Sequence, residues 1–176
     1  MATTSIVGHA VGAGNYDFAY KRVNKTMRGA LVVSVCIACV NYLISPVTFG
    51  LFTNNPDTVN MQAQIVELGR QVMFIAIFLE MGRTSNLVII NSLKASGDVK
   101  FPTYLGIVSM WGCSVVCGYI LGIVCGLGLK GIWIALAADE IIRGVVVAIR
   151  WRRGTWRGKS VVEHDESEPQ PVNAES

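Results

Sequence analysis

Charge is what this sequence has least of. Only 15% of its 176 residues are Asp, Glu, Lys or Arg, against about 25% in ordinary soluble domains. With 52% apolar residues and a mean hydropathy of +0.47, that scarcity argues for a membrane protein. Histidine is nearly absent. His9 and His164 are too few and too scattered to complete a metal site. No Ser-His-Asp or Cys-His constellation is visible, so an enzymatic reading has no support. The glycine-bearing stretch VGHAVGAGN lacks what a phosphate-binding loop requires: no Gly-Lys-Ser/Thr follows, no strand precedes, and no acidic ribose partner stands downstream. A secretory signal is also not expected, because residues 1–14 have neither a basic start nor a compact apolar run. They look more like the end of a helix, too short to span a membrane.

Five cysteines are present: Cys36, Cys39, Cys113, Cys117 and Cys125. Cys36 and Cys39 have CxxC spacing, but the pair lies inside VVSVCIACVNYL with no second CxxC. The expectation is small apolar packing residues rather than a redox or zinc pair.

What is abundant is oil. Four segments reach the about 20 residues that a helix needs to cross hydrocarbon: 30–50, about 71–93, about 103–125 and about 131–149. The expected fold class is therefore an all-α polytopic transmembrane helix bundle of four full spans plus a partial N-terminal helix. The connectors differ in character. Residues 15–29 are basic, 53–60 polar, 94–102 hold a Gly-Asp turn before Pro102, and 126–130 form a Gly-rich turn. Residues 158–176 are polar and acidic with two prolines, which reads as a disordered cytoplasmic tail.

Alternate loops share a side of the membrane. Lys21, Arg22, Lys25, Arg28, Lys94, Lys100, Arg150, Arg152, Arg153, Arg157 and Lys159 fall on one side, eleven basic residues in all, against Lys130 and Arg70 on the other. The positive-inside rule then puts the C-terminus in the cytoplasm. KRVNKTMR, beside an apolar span, is a topology signal rather than a nucleic-acid contact, and no nucleic-acid partner is expected. Trp151 and Trp156 are expected in the cytoplasmic interface belt.

Charge returns where it is least welcome. Glu80 and Arg83 fall in the middle of the second span, where an ionised group costs about 2.5–3.5 kcal/mol and one Leu returns only about 0.3–0.6 kcal/mol. At i,i+3 the two can pair. At 100° per residue, Met73, Ala76, Glu80, Thr84, Leu87 and Asn91 share one stripe, Arg83 flanks it, and Asn86 points elsewhere. One polar face is what a transport cavity needs, with Glu80 placed to take Na⁺ or H⁺. The competing reading is an intrahelical pair that satisfies only itself. The fourth span repeats the pattern with Asp139, Glu140 and Arg143, where an interhelical clamp or groups snorkelling to the interface compete with a role in transport. Asn41 suggests an interhelical hydrogen bond, and Gly106, Gly112, Gly118 and Gly122 suggest close helix packing.

Three ordered motifs carry a family resemblance. ATTSIVGHAVGAG resembles the A…VGQ…LGAG segment that ends the eighth helix of the MATE (multidrug and toxic compound extrusion) transporters, with His9 where Gln is usual. KASGDVKFP is similar to that family's R-G-x-G-D-x-R-x-P loop. GLKGIWIALAADEIIRG followed by RWRRGTW resembles its twelfth helix and cytoplasmic end. The resemblance covers roughly residues 1–157 and implies helices nine to twelve plus part of the eighth, one partial lobe of a two-lobed antiporter. It implies export of drugs or other organic, often cationic, compounds in exchange for Na⁺ or H⁺, with no other cofactor. Glu80 would lie on the tenth helix, which supplies acidic coupling residues in Na⁺-coupled members. Thr84, Asn91, Asp139, Glu140 and Arg143 join Glu80 and Arg83 as candidates for transport or coupling. The implied partners are membrane lipid, a small-molecule substrate, and the remaining N-terminal lobe in cis or in trans. The implied location is the plasma (inner) membrane. Alone, such a piece is expected to be inactive; the alternative is a small non-transporting membrane protein or remnant.

Overall fold

The computed structural model describes residues 2–52 and 61–158. The expected polar connector 53–60 and the acidic tail beyond Gly158 lie outside the described residues. Five helices follow one another: α1 (Ala2–Gly12), α2 (Tyr16–Phe52), α3 (Gln62–Ala95), α4 (Lys100–Val124) and α5 (Leu129–Arg152). Among the described residues there is no strand. The chain is an all-α, multi-pass integral membrane protein. Helices α2, α3 and α4 are each long and apolar enough to cross a bilayer. Helix α5 has 24 residues, roughly 36 Å at 1.5 Å per residue, and so has the length to cross; its three internal charges are what dilute its hydropathy.

Two boundaries differ from the expected ones. The basic stretch 15–29 is no loop: all but its first residue lies in α2, which runs unbroken for 37 residues, roughly 55 Å against a hydrocarbon core of about 30 Å. Lys, Arg, Met and Ala are good helix formers, so the cations extend the helix rather than end it, and Lys21, Arg22, Lys25 and Arg28 stand exposed on its first turns. A Schellman turn ends α1, with Asn15 N–H donating to Ala10 O at 2.8 Å and Gly14 N–H to Val11 O at 3.0 Å. Gly14 supplies the φ of 71° that this turn requires. Asn15 then caps α2, its Oδ1 accepting from Phe18 N–H at 3.3 Å. Likewise α3 begins at Gln62, nine residues before the expected span.

Pro46 lies inside α2. It has no N–H to give to Tyr42 O, four residues back. Ser45, one residue earlier and buried, donates its hydroxyl to that same carbonyl at 2.7 Å. A side-chain hydroxyl replacing a missing backbone donor is how a membrane helix tolerates proline.

Helix α3 is central, packed between α2 and α5; α1 lies against α2 and α3, and α4 against α5. The core gathers at one end. Val7 and Val11 of α1, Ala19 and Val23 of α2, Ile89 and Leu93 of α3, Val147 and Trp151 of α5, and Trp156 are buried together. This brings the basic segments around 15–29, 94–102 and 150–157 to the same end of the bundle. Trp151 and Trp156 stack at 4.3 Å between ring centres. Tyr20 lies parallel to Trp151 and Tyr16 edge-on to Trp156. Both tryptophans are thus packed inward and fully buried, not turned to lipid as belt residues are. Their rings fill the space left where α1, α2 and α5 meet, and Trp156 Nε1 still finds a partner in Trp151 O at 3.1 Å.

Away from that end the helices expose apolar surface. In the most apolar window of α2 only 11% of residues are buried within the chain, leaving side chains such as Val32, Leu43 and Leu51 for lipid or further protein. Cys36 and Cys39 belong to this exposed face and are free. They do not pack within the chain, contrary to expectation, because the turn of α2 that carries them has no neighbour on that side. In α4 the backbone hydrogen bonding widens to i→i+5 over Met110–Cys117 and again over Ile120–Val124. Of the four glycines on α4, Gly118 and Gly122 approach α5, whereas Gly106 and Gly112 face open space.

Candidate functional site

A cavity of about 990 Å³ opens between α2, α3 and α5. Its wall on α3 is the expected polar stripe: Met73, Ala76, Glu80 and Thr84, with Arg83 beside them. Across from it α2 contributes Ser34 and Asn41, and α5 contributes Trp133, Asp139, Glu140 and Arg143. Both charged clusters read from the sequence therefore face one space, though they lie on different helices.

The stripe does not run its full expected length. On α3 the lining stops at Thr84; Leu87 and Asn91 are exposed outside it. A stripe of constant angle stays beside its neighbours only while the helices run side by side, and below Thr84 the packing passes to the buried core.

Arg83 Nη1 donates to Glu80 Oε1 at 3.0 Å, with Glu80 36% and Arg83 54% exposed. The pair is wet and reachable from the cavity. Its Coulomb energy is correspondingly screened, and it is worth little as a staple. Thr84 Oγ1 donates to Ser34 Oγ at 2.8 Å, tying α3 to α2 at the cavity floor.

The α5 cluster is drier. Asp139 is buried at 2% exposure and receives two donors, Ser109 Oγ from α4 and Arg143 Nη2 one turn along α5. Arg143 Nη2 also lies 4.0 Å from Glu140 Oε1, so one guanidinium is shared between two carboxylates. Ser109 immediately precedes the widened turns of α4, a backbone feature that recurs at functional positions. The interhelical clamp foreseen for this cluster exists, from Asp139 to α4, and the same cluster lines the cavity.

Asn86 is the residue that sequence reasoning set aside. It does point away from the stripe, and what it meets is α5: its Nδ2 donates to Glu140 O at 2.8 Å and to Glu140 Oε2 at 2.6 Å. A buried amide in an apolar helix is the signal that could have found it. Asn86→Ala is expected to destabilise the chain by about 1 kcal/mol, the scale of interhelical hydrogen bonds in membranes. Thermal unfolding in detergent measures it; an unchanged midpoint would mean these bonds contribute nothing.

Among the described residues no group of three or more His, Cys, Asp or Glu is arranged to hold a metal ion. Glu80 remains the carboxylate most open to the cavity. With all five ionised, the lining sets three carboxylates against two guanidiniums, a surplus of one negative charge facing a single space.

Comparison with known proteins gives the same family as the motifs. The MatE family profile matches residues 1–120. The chain is 37% identical over 161 residues to the uncharacterized transporter YisQ of Bacillus subtilis, covering 92% of this chain and 34% of YisQ. It is 31% identical to the probable multidrug resistance protein NorM of Idiomarina loihiensis, covering 87% and 32%, and 22% identical to the NorM of Thermotoga maritima, covering 94% and 34%. No solved structure matches the chain. The chain spans about a third of the length of the curated relatives it matches. On the profile match and the identity to YisQ, the chain belongs to the MatE family.

Proposed function

We propose that this chain forms the C-terminal part of a secondary active antiporter that exports drugs or other organic, often cationic, compounds in exchange for Na⁺ or H⁺. The observation that carries the reading is the cavity between α2, α3 and α5, whose lining holds a surplus carboxylate and an accessible Glu80. The names of the NorM relatives support the substrate class. In this reading Glu80 takes the coupling ion. Arg83 competes with it for the carboxylate, so that ion binding and release stay balanced. Asp139, Glu140 and Arg143 form the opposite wall, and Trp133 offers an aromatic face for an organic cation. Asn91, outside the lining, has no part in this geometry.

Transport then requires a first lobe, in cis or in trans, and the unit works in the plasma (inner) membrane with its basic end and C-terminus in the cytoplasm. Concentrating eleven basic residues on one side supports that orientation.

The experiment is a chimera in which residues 1–157 replace the matching third of YisQ, reconstituted into vesicles beside the 176-residue chain alone. Ethidium is the substrate probe, under an imposed Na⁺ or H⁺ gradient. The chimera is expected to exchange ethidium for one of the ions, and the chain alone to give only the leak of empty vesicles. Exchange by the chain alone would refute the need for a first lobe. No exchange by a folded chimera in either gradient would favour a non-transporting membrane protein.

A further inference from the structure

A second, smaller cleft lies at the basic end of the bundle, on the outer side of α4 and α5. It encloses about 200 Å³ and is lined by Phe101, Val146, Ile149, Arg150, Arg153 and Thr155. Its lining is of two kinds. Val146 and Ile149 belong to the apolar stretch of α5, whereas Arg150, Arg153 and Thr155 come where that stretch ends. An apolar trough under a cationic rim matches a phospholipid near its headgroup.

The rim is prearranged. Arg150 Nε donates to the buried Asp98 at 2.6 Å, and the guanidinium lies 4.0 Å over the Phe101 ring. Asp98 sits in the α3–α4 turn, so the pair pins that turn to α5 and fixes one wall of the cleft. Gly154 takes a φ of 67°, which folds the chain back after α5 and returns Thr155 over the helix end, its Oγ1 3.4 Å from Arg150 O. Asp98 offsets the charge of Arg150. Nothing offsets Arg153: among the described residues Arg152, Arg153 and Lys100 have no ion-pair partner. Among the described residues the rim therefore carries a positive surplus, beside the last apolar turns of α5.

We propose that this cleft binds an anionic phospholipid, with Arg153 and Thr155 on the phosphate and Phe101, Val146 and Ile149 against the first part of an acyl chain. The cations on the exposed first turns of α2, Lys21, Arg22 and Lys25, lie outside this cleft and act on lipid there only through their field. The site is separate from the transport cavity and does not depend on its function.

The test uses the full 176-residue chain in detergent, offered phosphatidylglycerol or phosphatidylcholine, with bound lipid counted by native mass spectrometry. One phosphatidylglycerol is expected to stay bound in preference to phosphatidylcholine. Arg153→Gln is expected to weaken its retention about fivefold, the effect of one cation at a membrane surface, and Arg153→Gln with Thr155→Val to weaken it further. Arg22→Gln with Lys25→Gln, which removes two charges without touching the cleft, is expected to leave that single lipid bound. Arg153 and Thr155 are exposed, so their replacement leaves the core intact, and Arg153→Lys, keeping the charge, should restore most of the affinity. Four results would overturn the proposal: equal retention of the two lipids; equal loss in the α2 control; displacement by inorganic phosphate, which marks a simple anion site; or binding only after removal of residues 159–176, which marks the acidic tail as the occupant.

Discussion

Glu80→Gln in the YisQ chimera is expected to reduce ion-driven ethidium exchange by at least about tenfold while leaving the amount of folded protein unchanged. A tenfold loss corresponds to only about 1.4 kcal/mol of ion affinity, and the substitution deletes the most accessible carboxylate of the cavity, the contact that the proposed function gives to the ion. The substitution has a second effect. Arg83 loses its 3.0 Å partner, and the lining passes from a surplus negative charge to balance, with an uncompensated guanidinium beside the ion's place. Glu80→Asp keeps the charge on a shorter stem and is expected to recover part of the activity. Glu67→Gln, on the same helix but outside the cavity and bonded only to Gln71 at 2.7 Å, is expected to behave as wild type. Folding is not at stake, since Glu80 is exposed to the cavity and ties no helix to another. Undiminished, ion-dependent exchange by Glu80→Gln would remove Glu80 from the coupling role and leave the Asp139 cluster as the place to look.

How far this was legible in the sequence depends on which energy dominates at each residue. Glu80, Arg83, Asp139, Glu140 and Arg143 could be read directly, because the cost of a charge in hydrocarbon is so large that only a wet or paired site accounts for it. Their convergence on one cavity could not, since nothing in a linear pattern says that α3 and α5 are neighbours. The stripe was legible as far as Thr84 and not to Asn91, because periodicity describes one helix and the cavity is made by three. Trp151 and Trp156 were misplaced for a related reason. An amphipathic ring at a membrane boundary has two homes, lipid headgroups or protein, and the choice is made by α1 and Tyr16, which arrive from far along the chain. Residues 15–29 were read as a connector from their charge alone, though Lys and Arg break no helix. Ser109 and Asn86 carried weak signals, since one hydroxyl or amide in an apolar run tells which atom needs a partner but not where the partner is.

Gly82→Leu is expected to cost the 176-residue chain about 3 kcal/mol, more than a hundredfold in its unfolding equilibrium. The reason is that both sides of the contact are backbone. A Cβ on Gly82 would stand 2.8 Å from Glu140 C and from Ile141 N, and 3.0 Å from Glu140 Cβ. From the other helix Gly144 faces back, a Cβ there falling 3.5 Å from Gly82 O. Small residues facing each other let two membrane helices approach closely, and here the approach lets Asn86 reach Glu140. Overpacking costs about 1–3 kcal/mol where side chains can turn aside. Here none can, so α3 and α5 must separate, and the Asn86 bonds go with them. Losing those bonds by Asn86→Ala should therefore cost much less after Gly82→Leu than before it, a coupling that a double-mutant cycle reads directly. The contrast lies on α4. A Cβ at Gly106 or Gly112 meets nothing within 4 Å, so Gly106→Leu or Gly112→Leu should stay within about 0.5 kcal/mol of the parent. Unfolding midpoints in the same detergent compare the three variants. If Gly82→Leu and Gly112→Leu shifted them alike, the α3–α5 crossing would not be the contact that holds the cavity wall in place.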